Sequence, residues 1–312
     1  MANTEYGDIS PRTAAFAAKE MLKRGIPYLV LEKFGQARPL ANKSSKVQKF
    51  RRYSSLALAT TALTEGVTPT AKQLAAVDVT ATLQQYGDLV TISDVVIDTH
   101  EDPVLKEASE VLGEQAAQTV ETIRFNVLKA GTNVVYSNGT ARNAVNTEMT
   151  LADQRKATRT LKRQNGRAIT SVVKSTPSYG TEAVAPSYVG LIHPDMDAVI
   201  RSFAGFVPVE KYGTMTPHEG EIGKVEDVRY VCSTIFASFA NGGGTKGAMI
   251  GTSAADVYPT LIVARDAYGI VPLKGGASLS PAVVNPKPSD SDPLAQRGHV
   301  SWKSMQTAVI LN

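Results

Sequence analysis

A single cysteine, Cys232, in a chain of 312 residues leaves no internal disulfide and no multi-cysteine metal site to build. It lies in the apolar run "VRYVCSTIF", which places it in a core. Histidines number four. Three residues of "HPDMD", namely His193, Asp195 and Asp197, imitate metal ligands, but Pro194 and Asp195 starting a helix is the better reading. No window reaches the roughly 18 uninterrupted apolar residues of a membrane span. Met1 leads into "ANTEYGDISPRT", with no charged-then-apolar signal pattern, so a cytosolic setting is expected. The catalytic signatures are missing too: no G-x-S-x-G elbow, no H-E-x-x-H, no dinucleotide fingerprint. "NGGGTKGAM" lacks the G-x-x-x-x-G-K-[ST] spacing of a phosphate loop. The expectation is no enzyme, no cofactor and no metal. A last scarcity is local: from Ser54 to Ala76 the chain is mostly Ala, Thr, Leu, Gly and Pro.

Elsewhere there is enough to fold. The hydrophobic fraction of 43% supports a real core, and the net charge of +4 is mildly basic. "SPRTAAFAAKEMLKRG" reads as a short helix with Ser10 as N-cap, Pro11 at the first position and Gly25 as stop. "IPYLVLEKFGQARPLANKSS" then runs extended, since Pro27 and Pro39 block a longer helix. Such an entry resembles an arm laid over another surface.

Strict alternation in "VDVTATL" puts Val77, Val79, Ala81 and Leu83 on one face and Asp78, Thr80 and Thr82 on the other. That is a half-buried strand. "KVQKFRRY" is its expected partner, and "LTEGVTPT" supplies the turn near the tip. A lone two-stranded ribbon is marginal in water, so its pale middle suggests packing on another subunit. Arg51 and Arg52 are adjacent on a strand and face opposite ways. One is expected to look towards a neighbouring subunit, the other towards its own or solvent.

"DPVLKEASEVLGEQAAQTVETIRFNVLKAG" is the strongest helix, with Asp102 as cap, Pro103 at the first position and Gly131 as stop. Leu105, Ala108, Leu112, Ala116, Val120, Ile123 and Val127 form one apolar stripe. Glu107, Glu110, Glu114 and Glu121 occupy other faces. Next come a strand and turn in "TNVVYSNG" and a basic helix in "TLADQRKATRTLKRQNG". Strand-like runs follow in "AITSVV", "YVGLIH", "VRYVCSTIFASF" and "TLIVARDAYGIVPL", with a short helix in "HPDMDAVIRSFAG". "LSPAVVNPKPSDSDPLAQRG" reads as a loop and "HVSWKSMQTAVILN" as a strand tied into a sheet. On the basic helix Arg155, Lys156, Arg159, Lys162 and Arg163 are a soluble face, or else meet nucleic-acid backbone or an acidic patch on another copy. Glu219, Glu221, Glu226 and Asp227 read as a solvated acidic patch, or as partners for a basic surface nearby.

Taken in order, "KFRRYSSL", "LTEGVTP", "QYGDLVTISDVV", "DPVLKEASEVLGEQAAQTVE" and "LKAGTNVVYSNG" resemble tailed-phage major capsid proteins of the Hong Kong 97 type. "SYVGLIHPD" and "GEIGKVEDVRYV" match more weakly. Within that group the sequence is most similar to the family named for the major capsid protein of phage N-four. The resemblance runs from about Arg12 to the C-terminus and is densest between Lys46 and Tyr136.

The resemblance implies an α+β fold: an N-terminal arm over 1–45, an extended β-hairpin loop over 46–96, and a peripheral domain over 97–140 with a spine helix at 103–130. An axial domain would fill 141–273, and 274–312 would return as a strand to the peripheral domain. In this fold the extended loop lies over the neighbouring subunit of a hexamer or pentamer. Arg51, Arg52, Tyr53, Glu65 and Gly66 would be subunit contacts, and Arg155, Arg159, Lys162 and Arg163 would face DNA or a neighbour. Implied partners are other copies of the chain, a separate scaffolding protein (no long helical pro-segment precedes the hairpin), a portal, a decoration protein, and packaged double-stranded DNA bound without sequence specificity. No membrane is implied. The location would be a virion capsid assembled in the bacterial host cytoplasm. An encapsulin-like compartment shell shares the fold and is the near alternative; a monomeric nucleic-acid-binding protein or enzyme is the distant one.

Overall fold

A computed structural model describes residues 29–311, apart from 100–103, 171–185, 213–216, 246–253, 274–278, 285, 287 and 289–292. In chain order the elements are β1 (Gln36–Ala37), β2 (Val47–Tyr53), β3 (Ala76–Thr82), β4 (Gln84–Ser93), α1 (Asp94–Thr99) and α2 (Val104–Leu128). Then come α3 (Leu151–Arg163), β5 (Tyr188–Ile192), α4 (Asp197–Arg201), β6 (Phe206–Pro208), β7 (Glu221–Val225) and β8 (Val228–Cys232). The chain closes with β9 (Leu261–Val263), β10 (Tyr268–Pro272), β11 (Leu279–Val284) and β12 (Arg297–Ile310). The expected helix from Ser10 to Gly25 and the Asp102–Pro103 cap lie outside the described residues.

The C-terminal strand organises the first sheet. One edge of β12 pairs antiparallel with β4 from Arg297↔Ser93 to Gln306↔Gln84. Its other edge pairs first with β11, then with β10, which in turn takes β1 in parallel. Alternation decides which face of β12 is inward: Val300, Trp302, Ser304, Gln306 and Ala308 are buried, every second residue. Helix α2 packs on this face, with Leu112 and Ala116 set against Ile92, Val300 and Trp302. Burying such side chains contributes roughly 1.5–3 kcal/mol each.

The second sheet has the order β6-β7-β8-β5-β9, with β5 and β8 parallel and the remaining pairs antiparallel. All five residues of β5 are buried, as expected of a central strand covered on both faces. Helix α3 begins with a capping box between Thr150 and Asp153. It docks through Gln154, whose amide donates to the Val225 carbonyl (2.9 Å) and accepts from the Tyr230 hydroxyl (2.8 Å). One apolar cluster joins the two sheets: Phe125 and Leu128 of α2 pack with Val189, Leu191, Val231 and Phe236 from the second sheet's side and Tyr268 and Ile270 of β10.

Several expectations change. Gln84–Ser93 is a sheet strand, so the projecting loop ends near Leu83, not at 96. Tyr268–Pro272 belongs to the first sheet, so the second unit stops at β9 and not at 273. "LSPAVV" is strand β11 rather than loop, because β12 offers it an open edge. "TNVVYSNG" forms no strand; Val134 and Val135 are exposed. "VRYVCSTIFASF" leaves the sheet after Cys232, and the described part of "AITSVV" (168–170) is not a strand. The described part of the entry segment packs on its own subunit. Val30, Leu31, Phe34 and Leu40 are all buried in this chain's own cores.

Glu121 is the largest revision. Its position off the apolar stripe places it on another face of the spine helix, yet it is fully buried. The apolar stripe drifts round the helix towards Ala117, Phe125 and Leu128, carrying Glu121 and Arg124 inward, while Ile123 and Val127 are half-buried. Its Oε1 accepts the backbone N–H groups of Val30 (3.0 Å) and Leu31 (2.6 Å). Arg124 Nη1 stands 4.0 Å from its other oxygen and 3.5 Å from Glu32, and Arg124 Nε donates to Gln306 of β12 (3.1 Å). The Tyr268 hydroxyl closes the group on the Leu31 carbonyl (2.6 Å).

Desolvation pushes the Glu121 carboxyl up to about 7, against the opposing pull of the two N–H groups and Arg124. Below about pH 4.5 the carboxyl is protonated in both states. As pH rises from there to about 7 the unfolded chain ionises first, so stability is lost across that window and is then level. Chemical denaturation at pH 5 and pH 8 should show this decline in the wild-type chain and not in Glu121→Gln, which keeps an acceptor for both N–H groups. Glu121→Leu, which removes the acceptor beside buried Arg124, should cost about 2–5 kcal/mol at either pH.

Candidate assembly surface

Between β2 and β3 the chain leaves the body. The two strands pair antiparallel from Val47↔Thr82 to Tyr53↔Ala76, as the alternation implied. Beyond them the ladder ends, and residues 55–74 continue as an irregular loop. Exposure along the inward face of β3 records the departure: Leu83 is 0% exposed, Ala81 3% and Val77 47%. Phe50 anchors the root, buried with Leu40, Ala81, Leu83 and Val271. Close fit there requires Gly269, since a Cβ would approach the Phe50 ring to 2.6 Å.

Little internal structure holds the outer part. Ser54 N–H donates to the Ala75 carbonyl (2.8 Å), and Lys72 Nζ to the Ala57 carbonyl (2.8 Å). At the tip Val67 N–H reaches the Thr64 carbonyl (3.1 Å) round Gly66, whose φ of +76° suits glycine. Along this loop Leu56, Leu58, Leu63, Val67 and Leu74 are exposed, Leu58 by 86% and Leu63 by 77%. A second exposed apolar group, Val90, Val95, Val96 and Val111, lies on β4, α1 and α2, which contact one another, while Leu89 is exposed on the opposite face of the sheet.

Among the residues singled out from sequence, Glu65 and Gly66 are exposed at the tip and Tyr53 is exposed at 62%. Arg51 does not look outward for a partner: it forks onto Asp78 directly opposite (2.7 and 2.8 Å), which holds the Asp78 carboxyl below its usual range. Arg52, on the other face, is exposed. The exposed leucines of the loop follow no sustained 2- or 3.6-residue period, so sequence pattern does not single them out. The available signal was simpler: large apolar side chains in a segment too poor to bury them.

The basic helix is largely answered by its own chain. The two-residue turn between β7 and β8 is Glu226-Asp227, with Glu226 at φ +49°. Both acids reach α3: Glu226 takes Arg155 (Nε to Oε1 2.9 Å) and Asp227 takes Lys162. Hydrogen bonding to Arg155 draws the Glu226 carboxyl down, and bonding to Asp227 draws the Lys162 ammonium up. Lys156 pairs with Asp153 (2.8 Å). Arg159 and Arg163 are exposed on the same helix and, among the described residues, have no such partner.

The four acids Glu219, Glu221, Glu226 and Asp227 pair with basic groups nearby, the second of the two readings the sequence allows. The Glu221 side chain is fully buried, forked by equally buried Arg229 (2.6 and 2.6 Å) and bonded by the Tyr212 hydroxyl (2.8 Å). Glu219 pairs with Lys33 (3.4 Å). In "HPDMD", Asp195 accepts from the Tyr258 hydroxyl (2.5 Å) and Asp197 from Arg201 (2.9 Å), a local helix start. Among the described residues no group of three or more metal-ligating side chains converges. Cys232 is half-buried, and burial pushes its thiol up to about 11.

A family model described as phage capsid protein matches residues 76–268. No curated protein matches the chain. Among solved structures, the capsid of cyanophage P-SCSP1u superposes with a TM-score of 0.58 at 15% identity, over 91% of this chain and 85% of that one. The capsid of Ralstonia phage GP4 gives 0.58 at 12% identity, over 88% and 82%. The cyanophage Pam1 capsid gives 0.52 at 13% identity, over 100% and 90%.

The root should carry the loop's attachment. Phe50→Ala should cost about 3–5 kcal/mol by leaving a cavity under the ribbon, and trypsin should then cut faster after Arg51 and Arg52. Tyr53→Ala, one strand turn outward and exposed, should change stability by less than about 0.5 kcal/mol. Denaturant unfolding and timed proteolysis of the two variants test the contrast.

Proposed function

We infer the role of this chain from its membership of the phage capsid protein family, to which it belongs: it is a major capsid protein of the tailed-phage type, with the Hong Kong 97-type fold. Its place is the virion capsid, and its work is structural rather than catalytic. The observation that carries the reading is the loop between β2 and β3, firmly rooted at Phe50 and apolar where nothing in its own subunit covers it.

A ring of identical subunits joined head to tail needs two different surfaces on every copy. The loop is one, and the apolar group on β4, α1 and α2 is a fitting second. In this reading Leu58, Leu63 and Leu74 of one subunit cover Val90, Val95 and Val111 of the next. The first sheet with α2 is the peripheral domain, and the second sheet with α3 is the axial domain near the capsomer centre. Hexamers and pentamers then close an icosahedral shell round double-stranded DNA in the host cytoplasm, with a separate scaffolding protein, a portal and a decoration protein as further partners. Glu65, Gly66, Tyr53 and Arg52 would be the polar rim of the loop contact. Arg51 is set aside for its own strand partner.

Leu58→Asp combined with Leu63→Asp tests the loop. Both side chains are exposed in the subunit, so its circular dichroism and melting temperature should stay at wild-type values. Particles seen by sedimentation and electron microscopy of the expressed full chain should disappear. An undiminished particle yield from the double variant would remove the loop from assembly.

A further inference from the structure

We propose that Arg159 and Arg163 form a contact site for the phosphodiester backbone of nucleic acid, independent of base sequence. The inference rests on the capsid reading above and names the residues that would meet the enclosed polymer.

Of the five cations on α3, three are neutralised within the chain: Arg155 by Glu226, Lys162 by Asp227 and Lys156 by Asp153. The first two pairs fix the helix against the β7–β8 turn. Arg159 and Arg163 stand one turn apart on the exposed side, about 6 Å along the axis. They line an open groove with Arg155, Thr158, Lys162, Glu226 and Asp227. Four cations against two anions leave that lining at a net +2. Because both acids are held by Arg155 and Lys162, the positive excess sits on Arg159 and Arg163.

The composition of the groove separates two kinds of occupant. A stable subunit interface has a core depleted in charge and enriched in aromatic and apolar side chains. This groove has six charged residues, one threonine and no apolar side chain. Nucleic-acid surfaces are the polar, positively charged kind. Guanidinium groups suit phosphate because they offer a planar, paired set of N–H donors. Nothing in the groove offers an apolar or amide side chain for reading a base edge, so contact is with the backbone alone.

The test uses the soluble full-length chain and a fluorescent mixed-sequence DNA duplex, followed by anisotropy from 50 to 200 mM salt. Each lost phosphate contact should lower the slope of log affinity against log salt by about 0.9. Arg159→Gln with Arg163→Gln should therefore flatten the slope by about 2 and weaken binding at least tenfold at low salt. Lys106→Gln, on the spine helix, should match the wild type. Arg155→Gln with Lys162→Gln should lower the melting temperature, which the Arg159/Arg163 variant leaves unchanged. An unaltered slope in the Arg159/Arg163 variant overturns the proposal, as does a wild-type chain that does not bind the duplex. Loss of particles by that variant with DNA binding intact overturns it in favour of a subunit contact. Particle formation by the wild-type chain is scored separately, so failure of the capsid reading is distinguishable from failure of this site.

Discussion

One buried carboxylate ties together pieces of chain that are far apart in sequence. Glu121 accepts from Val30 and Leu31, its helix neighbour Arg124 reaches Gln306 of the C-terminal strand, and Tyr268 bonds back to Leu31. A charge taken out of water is costly unless its lone pairs are used. Oε1 uses its lone pairs to fix the entering segment against the spine helix, and Arg124 fixes the helix against β12. Everything else in the first sheet is registered from that strand: β4 on one edge, β10 and β11 on the other.

That registration determines where the loop can point. β3 runs into β4 through Leu83, and β4 pairs with β12 over ten residues. The root of the ribbon is therefore as fixed as the sheet itself, while its outer part has only a few backbone bonds of its own. A projection that is rigid at its base and adaptable beyond suits a contact completed by another molecule, since ordering entropy is spent only once a partner covers the apolar side chains.

Charge is handled by the same economy of pairing. In the second sheet Glu221 and Arg229 are sealed together, and the Glu226-Asp227 turn faces α3 and takes up two of its cations. A basic helix in sequence thus becomes, in three dimensions, a helix clamped at two points with two arginines to spare.

How much of this was legible beforehand follows from how local each signal is. The β2–β3 pairing, the α2 spine and the C-terminal strand come from periodicity over a few residues, and periodicity is a property of sequence. The projecting loop was legible as well, from the paleness of 54–76, although its far boundary was not: Gln84–Ser93 alternates as well in a ribbon as in a sheet. Whether "LSPAVV" is a loop or a strand depends on a free edge of β12, about twenty residues later in the chain. Glu121 and Glu221 were misplaced for the same reason, because a carboxylate looks solvated until its donors arrive, and those come from residues 30–31 and from Arg229. Local pattern determined the β2–β3 pair, the α2 spine and the C-terminal strand, while β11 waited on the edge that β12 offers it. Tertiary structure alone decided which charges are buried and which are left over, because burial depends on partners that the chain brings together only when it folds.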